Sequence, residues 1–122
     1  MNINKFLCVA QRFAISEAAE GEEGEFFLDK LQELQKTIDT MPKTYEQDGK
    51  GDDAIVYLHY FLGGMDWYIT ERDMEDDQLQ AFGLADLGYG GELGYISIQE
   101  LIDNGVELDL HWKPKTLAEV KA

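Results

Sequence analysis

Along residues 26 to 40, FFLDKLQELQKTIDT places Phe27, Leu31, Leu34 and Ile38 on one stripe, with Asp29, Lys30, Glu33 and Lys36 around it. That spacing predicts an amphipathic helix lying on a core. Met41-Pro42 ends it, because a proline pushes the residue before it out of helical geometry. Upstream, residues 5 to 15 (KFLCVAQRFAI) predict a short helix whose inward stripe is Phe6, Val9, Ala10 and Phe13. SEAAEGEEGE between the two helices reads as a solvated, acidic break.

After the polar connector KTYEQDGKGDD the period changes from helical to alternating. DAIVYLHYFL predicts one central strand, with Ile55, Tyr57, His59 and Phe61 on one face and Val56, Leu58, Tyr60 and Leu62 on the other. GGMD predicts a turn and WYITE the returning strand of a hairpin, since Gly-Gly takes positive φ without strain. RDMEDD reads as a charged connection, LQAFGLADL as a third strand and GYISI as a fourth. Ser97 and Glu100 have the spacing of a capping box, so IQELIDNG predicts a short helix closed by Gly105. VELDLHW alternates as a last strand, and Thr116 with Glu119 predicts a brief terminal helix. The pattern as a whole predicts a single α+β domain over residues 1–122. Its antiparallel sheet would have about four to five strands, with amphipathic helices packed on it.

The chain has 122 residues, 44% hydrophobic and 11% aromatic, enough apolar surface for one core. Twenty-five acidic residues against ten basic ones give a formal charge of -15. A field of that sign repels nucleic-acid phosphates and anionic lipid, so neither nucleic acid nor membrane is expected as a direct partner. It attracts basic protein surfaces, including grooves that hold DNA or RNA. The single cysteine, Cys8, excludes an internal disulfide and a Cys-rich zinc site. No apolar run has the length of a membrane span and no signal peptide is read, so a cytoplasmic location is expected.

The glycine-rich stretch around Gly88, Gly90 and Gly91 is a candidate phosphate cradle. It lacks the strand-to-helix context of a dinucleotide fingerprint and the Lys-Ser or Lys-Thr of a P-loop, and Asp86 and Glu92 flank it. A hairpin turn is the better reading. Glu107, Asp109 and His111 alternate on a strand, and such a row could ligate a divalent metal or serve acid/base chemistry. The same alternation is what a half-exposed edge strand presents. Asp66, Glu71, Asp86 and Glu92 could converge at strand ends, or serve turns and solubility. His59 reads as a packed, hydrogen-bonded histidine and Cys8 as a buried thiol. The only serines, Ser16 and Ser97, lie in no nucleophile elbow.

The segments AIVYLHYF, DWYITE, AFGLADLG, ELGYISIQEL and ELDLHWKPKTL, with MPKTYEQDGKG before them, resemble the DUF2958 family over about residues 41 to 119. Residues 1 to 40 lie outside that resemblance. It implies an accessory protein of plasmids, conjugative elements or phages, of the kind that blunts host defence, and it names no chemistry.

Charge and resemblance together predict a non-enzymatic protein without a cofactor. Its partner would be a host protein with a basic nucleic-acid-binding surface, in a restriction or CRISPR complex. The residues expected to carry this contact are Glu20, Glu22, Glu23, Glu71, Asp73, Glu75, Asp76 and Asp77, whose carboxylates would imitate a row of phosphates. Two alternatives stand beside it: a metal-dependent enzyme or small-ligand binder using Asp109 and His111, and a non-catalytic structural or assembly module.

Overall fold

The alternating run at 54–62 does not form one strand, and its interruption organises the molecule. In the structure, a computed structural model that describes residues 3–75 and 78–122, the run divides at Tyr57 into β1 (Ile55–Val56) and β2 (Leu58–Leu62). The two pieces enter different sheets. β1 pairs with β7 (Lys115–Thr116) near the C-terminus, an element the sequence pattern did not signal. β2 joins β3 (Met65–Glu71), β4 (Ala81–Asp86), β5 (Gly91–Ile96) and β6 (Glu107–Leu108) in an antiparallel sheet of order β5-β4-β3-β2-β6. A single α+β architecture results, with four α-helices among the described residues.

The hairpins follow their turn residues. Gly63 and Gly64 connect β2 to β3, closing on the Leu62 and Met65 pair. Gly88 and Gly90, at φ 103 and 94, turn β4 into β5, a left-handed conformation that favours glycine. The glycine cluster is therefore a hairpin turn. The pairing of β3 with β4 shifts register between Ile69 and Glu71, a bulge that re-aims Thr70 and Glu71.

The helices are α1 (Val9–Ala19), α2 (Gly24–Thr40), α3 (Ile98–Asp103) and α4 (Leu117–Lys121). α2 buries Leu34 and Ile38 and ends at Met41, whose extended backbone follows from Pro42. α3 starts where Ser97 accepts a hydrogen bond from the Glu100 N–H, and α4 starts on a complete Thr116/Glu119 capping box.

The first helix departs from its predicted phase. Residues 3–6 form a 3-10 turn that buries Phe6, and Cys8 is extended before α1 begins. This break resets the helical register, so Gln11 and Ile15 turn inward while Val9 and Phe13 stay 70% and 66% exposed. Gln11 is buried because its amide completes the sheet edge: Nε2 donates to the Leu108 carbonyl at 2.7 Å, and Oε1 accepts the Leu108 N–H at 2.9 Å.

Residues paired directly across antiparallel strands share a face. One face of the large sheet (Leu58, Tyr60, Ile69, Ala81, Ile96) meets Phe6, Leu34, Ile38 and Leu101 in the main core. The other face carries a smaller cluster of Ala54, Val56, Leu84 and Leu117, edged by Tyr68 and Trp112. Val56 joins this second cluster, although it alternates with Leu58, because the chain changes sheets at Tyr57.

Candidate functional site

The predicted acidic residues divide by the elements that carry them. Glu17 and Glu20 end α1, Glu22 and Glu23 form the turn, and Glu25 opens α2; all are exposed. The turn is tight: a Cβ on Gly24 would stand 2.1 Å from the Ala19 carbonyl oxygen, so only glycine lets the two helices close there. Glu25 sits at the favourable positive end of the α2 dipole. Glu17 and Glu20 sit at the unfavourable negative end of α1, whose last turn holds no basic residue. Val9 and Phe13 lie eight and four residues before Glu17 on the same helical face, and both are exposed.

The second acidic run does not form a surface row. Glu71 and Asp73 are buried, at 3% and 7% exposure. Asp73 organises its own loop, accepting the Glu75 N–H at 3.2 Å and the Gln80 N–H at 3.0 Å. Arg72 is buried beside it, donating to the Ile38 carbonyl at 2.7 Å and the Asp73 carbonyl at 3.0 Å. Residues 72–75 are thus a hydrogen-bonded junction, in which Glu75 is exposed. Asp76 and Asp77 lie outside the described residues.

The alternating row Glu107, Asp109 and His111 does not converge. Strand geometry ends at Leu108, so the three do not share a strand face. Glu107 is exposed, and Asp109 Oδ1 accepts the His111 backbone N–H at 2.9 Å. Asp109 Oδ2 turns instead to His59 Nδ1 at 3.0 Å. Among the described residues no group of three or more His, Cys, Asp or Glu side chains is placed to hold a metal ion.

What the sequence reading missed is the row Asp66, His59, Asp109. His59 Nε2 faces Asp66 Oδ1 at 2.7 Å, while its ring stacks on Tyr68 at 4.8 Å and leans on Trp112 at 5.0 Å. A doubly protonated ring donates to both carboxylates; a neutral ring donates to one. In both states a carboxylate faces each nitrogen, which leaves neither open to a nucleophile. Burial, then the neighbouring Asp66 and Asp86, raise the Tyr68 pKa. Half of this row had a sequence signal. A two-glycine hairpin sets Asp66 diagonal to His59, within reach of a histidine ring. Asp66 and Asp86 do meet as a cross-strand pair, while Glu71 stands at the far end of β3.

A family model described as "Protein of unknown function (DUF2958)" matches residues 27–117. The chain belongs to the DUF2958 family. No curated protein and no solved structure matches it significantly. In this DUF2958 chain the matched span reaches back from the segments read in the sequence through most of α2, and ends on the first residue of α4. It takes in the whole five-stranded sheet and the His59 row and leaves out α1. No helix among the described residues is long and apolar enough to cross a membrane.

Proposed function

We propose that this protein is a non-enzymatic binding module of a bacterial mobile element. In this reading it engages the basic, nucleic-acid-holding surface of a host defence complex through the acidic turn between α1 and α2. The observation that carries the reading is the exposed set Glu17, Glu20, Glu22, Glu23 and Glu25, together with the uncovered Val9 and Phe13 on the face of α1 that carries Glu17. Carboxylates at the C-terminal end of a helix work against its dipole, and a local rule broken without structural gain is a mark of function. Exposed aromatic side chains beside charge are the composition of an interface anchor, with the charge setting approach and register. The mobile-element context comes from the family resemblance. The class of partner comes from the net charge of -15.

Capture of partners from bacterial lysate by the tagged chain tests this, at low and high salt and with duplex DNA as competitor. A specific partner released by salt and by DNA is expected, and it should be lost with Glu20→Lys, Glu22→Lys and Glu23→Lys combined. If a partner is held equally by the reversed-charge variant, the acidic turn is not the contact.

A second reading, an assembly module, draws on β5, an edge strand whose Leu93 and Tyr95 are about half exposed. Sedimentation of the purified chain separates the two, because self-association through β5 would appear without any host component.

A further inference from the structure

We propose that the cavity between the sheet and the 45–51 loop is a binding site for a small organic cation. The ligand class is a primary alkylammonium or an alkylguanidinium with an apolar tail. This inference does not rest on the proposed protein-binding role, since its central carboxylate is buried and the carboxylates of the turn between α1 and α2 are exposed.

The cavity holds about 400 Å³ and is lined by Tyr45, Phe82, Leu93 and Leu117 on its apolar side. Pockets of that volume, mostly apolar with a few fixed polar groups, are the ordinary form of small-ligand sites. The polar wall is Gln47, Asp48, Thr70 and Glu71, of which Asp48 is exposed and Glu71 is the buried carboxylate. The β3 bulge sets Glu71 opposite Phe82. The Glu71 carboxylate accepts the Gln47 N–H at 3.3 Å and the Thr70 hydroxyl at 3.1 Å. A carboxylate offers about four acceptor positions, so these two bonds leave capacity for a ligand. Among the described residues no Lys, Arg or His forms an ion pair with it. A carboxylate taken out of water without a counter-ion is unfavourable, and a ligand cation supplies the missing charge.

The walls suit the same ligand. Aromatic faces attract alkylammonium and guanidinium groups. A neutral ligand would leave the carboxylate uncompensated and an anion would be repelled. A metal ion lacks a ligand set here, because no group of three donors exists among the described residues. The loop is held in place before any ligand arrives. The Gln47 amide bonds to Ile55 N–H, Ile55 O and Thr70 O, and the Thr44 hydroxyl bonds to Arg72 O and Gln80 O. Tyr45 adopts φ 77, unusual for a side chain of its size, and its hydroxyl contacts that of Tyr95. Backbone strain of this kind gathers at binding sites, where surrounding contacts over-determine it.

The test is an NMR titration of the full isotope-labelled chain with n-butylguanidinium, n-butylammonium and the uncharged n-pentanol. Saturable shifts at Thr70, Phe82 and Leu93 are expected for both cations, with n-pentanol much weaker. Glu71→Gln should weaken the cations by about tenfold or more, while Glu22→Gln, removing one charge from the exposed turn, should not. Leu93→Trp fills the cavity from a half-exposed edge position and should block binding in a folded chain, which decides the matter if Glu71→Gln does not fold. Absence of saturable shifts in the wild-type chain overturns the proposal, as does equal binding of n-pentanol. Cation binding that survives Leu93→Trp or a folded Glu71→Gln also overturns it.

Discussion

His59 Nε2 and Asp66 Oδ1 stand 2.7 Å apart across the β2–β3 hairpin, while the other ring nitrogen faces Asp109 3.0 Å away. One imidazole therefore ties a hairpin turn to the segment after β6. His59→Phe keeps an aromatic ring against Tyr68 but leaves two partly buried carboxylates without their donor. The expected loss is about 2 kcal/mol in urea unfolding. Adding Asp66→Asn should recover part of it, because the neutral amide needs no counter-charge; a double variant no more stable than His59→Phe alone would show that the Asp66 contact contributes little.

Gln11 plays the part of a strand partner from within a helix. Gln11→Ala strands both the N–H and the carbonyl of Leu108, buried groups that the glutamine amide alone satisfies at 2.9 and 2.7 Å. A loss of about 2 to 4 kcal/mol is expected, from two unsatisfied groups at roughly 1–3 kcal/mol each. Amide exchange at Leu108 should accelerate in the variant more than at Ile69 in the sheet centre. Uniform acceleration would mean that Gln11 supports the fold globally rather than this edge.

Tyr60 is fully buried and donates to the Phe6 carbonyl at 2.6 Å. Burial, reinforced by Cys8, raises its pKa well above the ordinary 10.0. The unfolded chain releases this proton near pH 10 and the folded chain holds it, so the folded state binds more protons there. Stability therefore falls as pH rises from about 10 through the raised folded value, and below that window Tyr60 contributes no slope. Tyr60→Phe should lose about 1 kcal/mol at neutral pH with the hydrogen bond. It should also flatten, without abolishing, the alkaline loss, because the pKa of Tyr68 is raised too. An unchanged alkaline slope would place the titration elsewhere.

If the acidic turn exists for a partner, removing its charge should favour the isolated protein. Glu17→Lys and Glu20→Lys place cations at the C-terminal end of α1, where each is expected to add about 0.5 kcal/mol of stability, while partner capture falls. Thermal unfolding and capture on the same samples check both halves. A variant that loses stability and capture together would assign these residues a folding role.

The elements that announced themselves in the sequence are those whose signal is local. The α2 stripe of Leu34 and Ile38, its stop at Pro42, the Ser97 and Thr116 caps and the glycine turns all depend on neighbours within a few residues, and the structure has each of them. α1 was misphased because its register follows from the break at Cys8, which no periodicity records. The acidic run after β3 read as a surface from composition alone, yet Asp73 is held inward by backbone groups of its own loop.

Alternation and charge by themselves determined an α+β chain with an acidic exterior and hairpins at its glycines, because those properties are set by spacing along the backbone. Only the tertiary structure decided which of the similar carboxylates face water, which one sits in a cavity, and which two hold His59. Burial and ion pairing depend on distances between residues far apart in the chain, such as the fifty positions separating His59 from Asp109. Those distances exist only once the two sheets and the helical layer have closed on one another.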